Sequence, residues 1–124
     1  MLKIRTTKEL QTSLHSEETN KIEFRYKYFR QDEILTGKAI EIWVDAYKII
    51  ETENGEEFEL IQGGGSYRIL KQTDLDVLIP QAKQMTPEGD DPLEYFDALV
   101  GNGIKLVIVN EGLWKNQLTI NDFE

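Results

Sequence analysis

The sequence of 124 residues contains no cysteine and a single histidine, His15. Without cysteine the chain has no disulfide, no thiolate nucleophile and no cysteine-ligated zinc site. His15 lies in a polar stretch, and no Ser-His-Asp or Cys-His pattern accompanies it, so the sequence predicts no catalytic triad. We therefore expect a protein that is not an enzyme, that has no catalytic residues and that uses no cofactor or metal.

Long hydrophobic runs are also missing. The longest, Ile104–Val109, has six residues and includes Lys105, whereas a helix needs about 20 apolar residues to cross a bilayer. The first ten residues alternate charged and apolar side chains and lack the apolar core of a signal peptide. We expect no membrane partner, and a chain that is neither transmembrane nor exported through a signal peptide.

The charge is negative overall and unevenly distributed. The net charge is −9; residues 1–50 hold nine Lys and Arg against eight Asp and Glu, and residues 51–124 hold five against fifteen. An acidic surface repels the phosphate backbone, so nucleic acid is not the expected partner. The acidic half either binds a basic partner or only keeps the protein soluble, and the composition leaves both open.

Two long stretches and a turn predict most of a sheet. Lys21–Phe29 alternates strictly between polar and apolar residues, and so does the first part of Lys38–Ile50, which is typical of half-buried strands. Asn54-Gly55 then predicts a hairpin, because the tight turn needs positive φ angles that glycine and asparagine tolerate. The strand that closes this hairpin ends near Ile61, and Ser66–Leu70 resumes an extended pattern.

The period changes after Leu70, where two helices are expected. Thr73 caps the first, and Pro80 kinks it or ends it early. Asp91, followed by proline and later by Glu94, begins the second, whose buried stripe includes Leu93.

The expected second helix is short. Gly101 or Gly103 ends it, and the apolar run Ile104–Val109 is then typical of a strand buried on both faces. The sequence therefore predicts a single α+β domain over residues 1–124. We expect a mainly antiparallel sheet, or a small sandwich or barrel, of about six or seven strands, with two short helices between the fifth and sixth strands.

Three consecutive glycines, Gly63–Gly65, lie between two extended segments. A phosphate-binding loop would place Lys and Ser or Thr after its last glycine and open a helix; here Tyr67–Leu70 follows as a strand. The spacing does not match a dinucleotide-binding fingerprint either. We interpret the glycines as a sharp bend or bulge, or as a place where another backbone approaches closely.

Aromatic residues give the candidate interface. Trp43 and Tyr47 alternate with the aliphatic positions of their strand, so they point either to a second core layer or to a partner, and the sequence does not separate the two. Tryptophan and tyrosine are enriched at interface centres. The predicted interface residues are Trp43, Tyr47, Gly63, Gly64, Gly65, Tyr67, Trp114, Leu118 and Ile120.

A single-stranded nucleic-acid platform is an alternative. Such sheets present aromatic residues beside cations, and Arg25, Lys27 and Arg30 are interleaved with aromatic residues. Alternation, however, sends Tyr26 and Tyr28 to the opposite face from Arg25 and Lys27. Core aromatics on one face and solvated cations on the other is the simpler interpretation.

One part of the chain resembles a known group. The run from Tyr67 to Asn116, with YRILKQTDLDVLIPQA followed by YFDALVGNGIKLVIVNEGLWKN, resembles the small structural proteins of tailed-phage necks and tails. The resemblance covers under half of the chain. It implies a strand-rich body joined to a helical pair and a closing hairpin. It also implies a non-enzymatic part that is repeated around a ring, in a virion or in the host cytoplasm.

Three functional hypotheses follow. The leading one is a structural assembly protein of a phage neck or tail, whose partners are copies of itself or other structural proteins and which has no small-molecule substrate. The second is an acidic immunity or inhibitor protein that covers a basic partner. The third is the single-stranded nucleic-acid module.

Overall fold

The computed structural model describes residues 2–13, 15, 17–33 and 37–124, and only the backbone at 30–33, 37, 38, 72 and 75. Seven strands come first and two helices follow them. The elements are β1 Leu2–Arg5, β2 Leu10–Gln11, β3 Thr19–Asn20, β4 Ile22–Glu33, β5 Gly37–Thr52, β6 Gly55–Leu60, β7 Ser66–Lys71, α1 Gln72–Met85 and α2 Pro92–Glu111. A short 3₁₀ turn, Ile120–Asp122, lies near the end of the chain.

The main sheet has five strands, and every pairing in it is antiparallel. The 16-residue β5 is central: β4 pairs along one side of it, with β1 beyond β4. On its other side β5 pairs with two strands in line, with β6 along Tyr47–Thr52 and with β7 along Ala39–Val44. A separate two-stranded sheet joins β2 to β3.

Strict alternation gives the sheet two different faces. On the inner face Phe24, Val44 and Ala46 are buried and belong to one hydrophobic cluster. The outer face receives the alternate residues, such as Arg25 of β4 and Trp43 of β5. The assignment of these strands and of a hairpin after Ile50 from the sequence is confirmed. The turn itself differs from expectation: Thr52 pairs with Gly55, so Glu53 and Asn54 are the turn residues, and Gly55 but not Asn54 has a positive φ.

Both helices lie on the inner face. Val100, Ile104 and Ile108 of α2 are buried in the same cluster as Phe24 and Tyr26, and α1 packs against α2 and β7. The helix approaches the sheet closely at Gly101, where a β-carbon would lie 2.8 Å from the Tyr26 hydroxyl. Gly101 is therefore a packing position inside α2.

The α+β class, the mainly antiparallel sheet and the two helices are confirmed, but the predicted helix positions are wrong. Both helices follow all seven strands, and the sheet is open. Ile104–Val109 is the second half of α2. The run resembles a buried strand because buried Leu106 and partly buried Val107 occupy positions between Ile104 and Ile108, which removes the usual polar stripe of a surface helix.

The helix ends differ from expectation in part. Asp91 caps α2 as predicted, since its carboxylate accepts a hydrogen bond from the Leu93 amide at 2.9 Å. Lys71 rather than Thr73 occupies the capping position of α1, where its amide donates to the Asp74 carboxylate at 3.0 Å. Pro80 does not end α1, which continues to Met85. Leu93 is exposed and not part of a buried stripe.

The segment after α2 packs back on the fold. Trp114 is 2% exposed; its ring meets Phe24 edge-on at 5.8 Å, and its indole nitrogen donates to the Gln11 carbonyl at 2.9 Å. Further on, Phe123 bridges to Thr6 beside β1. Among the described residues, no helix combines the length and apolarity needed to cross a membrane.

Candidate interaction surface

The outer face of the sheet carries most of the exposed large hydrophobic side chains. Within the described part of the chain, the inter-element packing involves the inner face and the edges, and the helices do not cover the outer face. Nine of the described large apolar side chains are exposed, and six of these project from this face. The six are Phe29, Trp43, Phe58, Leu60, Tyr67 and Ile69.

The part of the outer face beside β7 is aromatic, and we call it the tryptophan patch: Lys27, Phe29, Trp43, Tyr67 and Ile69. Trp43 and Tyr67 are directly opposite each other on β5 and β7, with ring centroids 4.2 Å apart. Lys27, opposite Trp43 on β4, places its ammonium 5.4 Å from the indole centroid. A cation over an aromatic face is attracted by the ring quadrupole.

The tyrosine of the tryptophan patch is also held by a hydrogen bond. The Tyr67 hydroxyl bonds to the Glu41 carboxylate, which raises the pKa of Tyr67 because the anion would repel its acceptor. Both aromatic rings are therefore oriented by neighbours within the chain, and 42% of the Trp43 surface and 50% of the Tyr67 surface remain accessible.

The other half of the outer face is a charged cluster, the arginine cluster: Arg5, Glu23, Arg25, Tyr47 and Phe58. Glu23 is only 1% exposed and accepts from Arg25 Nε at 2.7 Å and from Arg5 Nε at 2.9 Å. The Arg25 guanidinium lies 4.3 Å from the Tyr47 ring centroid and 4.6 Å from that of Phe58.

Two opposing effects set the protonation of Glu23. Burial is the larger single effect and by itself raises the pKa of the carboxyl; the hydrogen bonds and charges of Arg25 and Arg5 together outweigh it, so the pKa lies below its usual value. Arg5 also forms a two-point bond to Glu56 of β6, at 2.9 and 3.0 Å. The arginine cluster thus links β1, β4 and β6 across the outer face.

The predicted interface residues lie in four places. Trp43, Tyr47 and Tyr67 share the outer face, while the glycine loop connects β6 to β7. Trp114 and Leu118 are buried in the chain's own core, at 2% and 3% exposure, and pack against other parts of the same chain. Ile120 is partly buried in the 3₁₀ turn.

Sequence reasoning missed four residues of this surface: Phe29, Phe58, Leu60 and Ile69. Two of them had a usable signal. Strand alternation after the hairpin places Phe58 and Leu60 on the same face as Tyr47, and the observed pairing puts Leu60 opposite Tyr47 and Phe58 opposite Ile49. The aromatic rings directly beside the two cations come from the neighbouring strands: Trp43 of β5 lies beside Lys27, and Tyr47 of β5 and Phe58 of β6 lie beside Arg25. The side chain of Arg30 lies outside the described residues.

The glycine loop is a bend, as predicted. Gly63 has a φ of 76°, which favours glycine, and a β-carbon on Gly65 would lie 2.3 Å from the Val44 carbonyl oxygen. A β-carbon on Gly64 would lie 3.0 Å from the Ala46 side chain and 3.1 Å from Trp114. The loop therefore folds over the inner face of the sheet, and it leads into strand β7, not into a helix.

Two clefts flank the glycine loop. One, of about 480 Å³, lies between the loop and the end of α2, with Arg68 and Glu111 at its rim. The other, of about 750 Å³, includes His15, Lys48 and Glu59. Arg68 is already paired with Glu111 and lies 3.5 Å from Asp74. Over the described ranges, no three His, Asp or Glu side chains gather in a way that could hold a metal ion.

The acidic residues that an immunity protein would present lie on several elements. Glu57 and Glu59 project from the inner side of β6, Glu56 projects from its outer side, and the remaining acids of residues 51–97 lie in the β5–β6 hairpin, in α1, in the helix-connecting loop and in the start of α2.

Comparison with protein-family models, with curated proteins and with solved structures finds no match for this chain.

Proposed function

We propose that this protein is a non-enzymatic structural assembly protein, of the kind found in phage necks or tails, and that the outer sheet face is its contact surface. The observation that carries the proposal is the concentration of six exposed large apolar side chains on one uncovered sheet face. Exposed apolar patches rimmed by polar groups mark interaction sites on soluble proteins.

The composition of the outer face supports a protein partner. Energetically dominant interface residues are enriched in Trp, Tyr and Arg and pack in the centre of a contact. The outer face presents all three types, with Trp43 and Tyr67 already oriented by each other and by Lys27 and Glu41. Little side-chain entropy is then lost when a partner covers them.

The experiment measures assembly and the effect of one charged substitution. Native mass spectrometry and light scattering on the purified chain should show an oligomer. Trp43→Glu should dissociate it at least tenfold more readily, because it places a carboxylate at the centre of the contact. Leu93→Glu is the matched control, since Leu93 is exposed on α2, outside the outer face. A monomer at every concentration, or equal weakening by both substitutions, would contradict the proposal.

A second candidate is binding of single-stranded nucleic acid at the same face. It is favoured by Lys27 over the Trp43 ring and by Arg25 beside Tyr47 and Phe58, because base stacking and phosphate contacts need aromatics and cations together. Fluorescence anisotropy with a labelled oligonucleotide tests it. Binding that weakens with salt and disappears in Lys27→Glu would support this candidate, and unchanged anisotropy at low salt would remove it.

A further inference from the structure

The free edge of the sheet is acidic along β6 and basic along β7. The charges of β6 would therefore repel another copy of β6 and attract β7. β6, Gly55–Leu60, includes three glutamates and no cation; β7, Ser66–Lys71, includes Arg68 and Lys71 and no acid. Both strands pair only with β5 among the described residues. An exposed edge is a template for another strand, and like charges placed opposite each other are destabilising.

The positions of both strands can be compared along β5. β6 places Phe58 opposite Ile49 and Leu60 opposite Tyr47, while β7 places Tyr67 opposite Trp43 and Ile69 opposite Glu41. The two strands are thus collinear segments of one antiparallel edge, with the glycine loop between them. Because that loop folds over the inner face, it leaves the edge accessible.

We propose that a second copy of this chain pairs with this edge, β6 of each protomer against β7 of the other, about a two-fold axis beside the glycine loop. Such a pairing is antiparallel and isologous, and it joins the two sheets into one. The proposal deepens the proposed function and rests on it, since it names the partner and the register of one subunit contact.

One register places apolar residues opposite apolar residues, and a glutamate opposite a lysine, along both strands. With Leu60 opposite Tyr67 of the partner subunit, Phe58 falls opposite Ile69 of the partner subunit on the outer face. In the same register Glu56 falls opposite Lys71 of the partner subunit. All four apolar residues of these pairs are exposed in the single chain, and cross-strand apolar pairs are the main source of stability in such a sheet.

The inner side of the edge agrees with the same register. There Glu59 falls opposite Arg68 of the partner subunit. Both already have partners within the chain, Lys48 at 3.5 Å for Glu59 and Asp74 at 3.5 Å for Arg68, so the charges select the register and the apolar pairs supply the binding. Shifting the register by two residues places Phe58 opposite Tyr67 or Lys71 of the partner subunit and moves Leu60 or Tyr67 opposite the glycine loop.

Disulfide trapping tests the register, because the parent chain has no cysteine. A Phe58→Cys chain mixed with an Ile69→Cys chain under mild oxidation should give a covalent dimer, since directly opposed residues lie within disulfide range. Within one chain the two positions are about 26 Å apart along β5 at roughly 3.3 Å per residue, so an intramolecular bond is excluded.

Mismatched pairs are the controls. Phe58→Cys mixed with Tyr67→Cys, or with Lys71→Cys, should give at least about tenfold less covalent dimer, because those residues are separated by two strand positions in the proposed register. Leu60→Cys mixed with Tyr67→Cys provides a second matched pair in case one variant folds poorly, with circular dichroism and thermal unfolding as the check on folding.

The outcomes separate the two proposals. An oligomer that Trp43→Glu dissociates but that gives no preferred disulfide between matched positions overturns the edge pairing and leaves the proposed function standing. A chain that is monomeric in native mass spectra and gives equal, low cross-linking for all pairs overturns both. Cross-linking that favours a mismatched pair over both matched pairs overturns the register.

Discussion

The two faces of the sheet are made by the same strands, β4 and β5, and differ in what covers them. On the inner face Phe24 is 1% exposed beneath the helices and Trp114, and burial raises the pKa of the neighbouring Tyr26 to about 12. On the outer face Trp43 is 42% exposed. Large hydrophobic side chains on the inner face are buried within the chain, whereas six on the outer face remain exposed.

The outer face also contains a buried charged residue, Glu23. Glu23 is as deeply buried as Phe24, yet it is covered by Arg5 and Arg25 instead of a helix. Burial on this face therefore comes from long side chains that lie flat on the sheet. Substitutions on the two faces should therefore differ in how much they lower the free energy of unfolding and in the type of interaction that they remove.

The largest expected effect lies on the inner face. Phe24→Ala removes a fully buried ring that packs edge-on against Trp114, and it should lower the free energy of unfolding by about 4 kcal/mol. Urea unfolding followed by the fluorescence of the two tryptophans measures it. Phe24→Leu, which keeps much of the volume, should lose less than half as much. A loss below about 1 kcal/mol for Phe24→Ala would contradict the assigned core.

The next effect concerns the buried charge. Glu23→Gln should lower the free energy of unfolding by about 3 kcal/mol at neutral pH, because it removes a carboxylate that two guanidinium groups surround. Glu57→Gln is the control, since Glu57 is exposed on β6. Urea unfolding at fixed pH compares the two.

The pH dependence of the same pair of proteins gives an independent check. The pKa of Glu23 is lowered from the usual value of 4.5 in the folded state, so its stabilisation is present above that value and is lost as the pH falls through the folded pKa. The parent should therefore approach the stability of Glu23→Gln as the pH falls from 4.5 through the lowered pKa of the folded state. A difference between parent and variant that stays constant from neutral to acid pH would exclude a stabilising carboxylate.

Local alternation predicted which residues share a face, but not what covers each face. The outward position of Arg25 and Trp43 follows from the period of two in β4 and β5. The position of β7 in line with β6 does not, because it depends on a five-residue bend that no periodicity encodes. The helical state of Ile104–Val109 depends on tertiary packing around α2.

The candidate surface was predictable to a similar depth. Trp43 and Tyr67 follow from strand alternation, whereas Trp114 needs the turn after α2 to bring it under Phe24. Glu23 belongs to the polar residues that alternate with apolar ones along β4, a pattern that is typical of a solvent-exposed face. It becomes buried only because β1 brings Arg5 beside it. Contacts between distant segments therefore decide which of the predicted interface residues are exposed in the folded chain.

The third prediction concerns Gly65 in the glycine loop, where the chain passes from the sheet edge to the inner face. Gly65→Ala would put a β-carbon 2.3 Å from the Val44 carbonyl oxygen, and the required backbone shift should lower the free energy of unfolding by about 2 kcal/mol. Gly89→Ala is the matched control: neither glycine has a positive φ, and nothing lies within 4 Å of a β-carbon at Gly89. Equal unfolding midpoints for the two variants would contradict the close approach.

The smallest effect on stability is expected at Trp43, which we propose to lie at the centre of the subunit contact. Trp43→Ala removes the contact with Tyr67 and the cation over the ring, and in the dissociated chain it should cost about 1 kcal/mol of unfolding free energy, since cross-strand and cation–π contacts at exposed sites are weak. Urea unfolding of dilute protein measures this, with Trp43→Phe as the control that keeps an aromatic ring. A loss as large as that of Phe24→Ala would mean that Trp43 belongs to a second core layer. A small loss together with failure to assemble would place its contribution in contacts between chains.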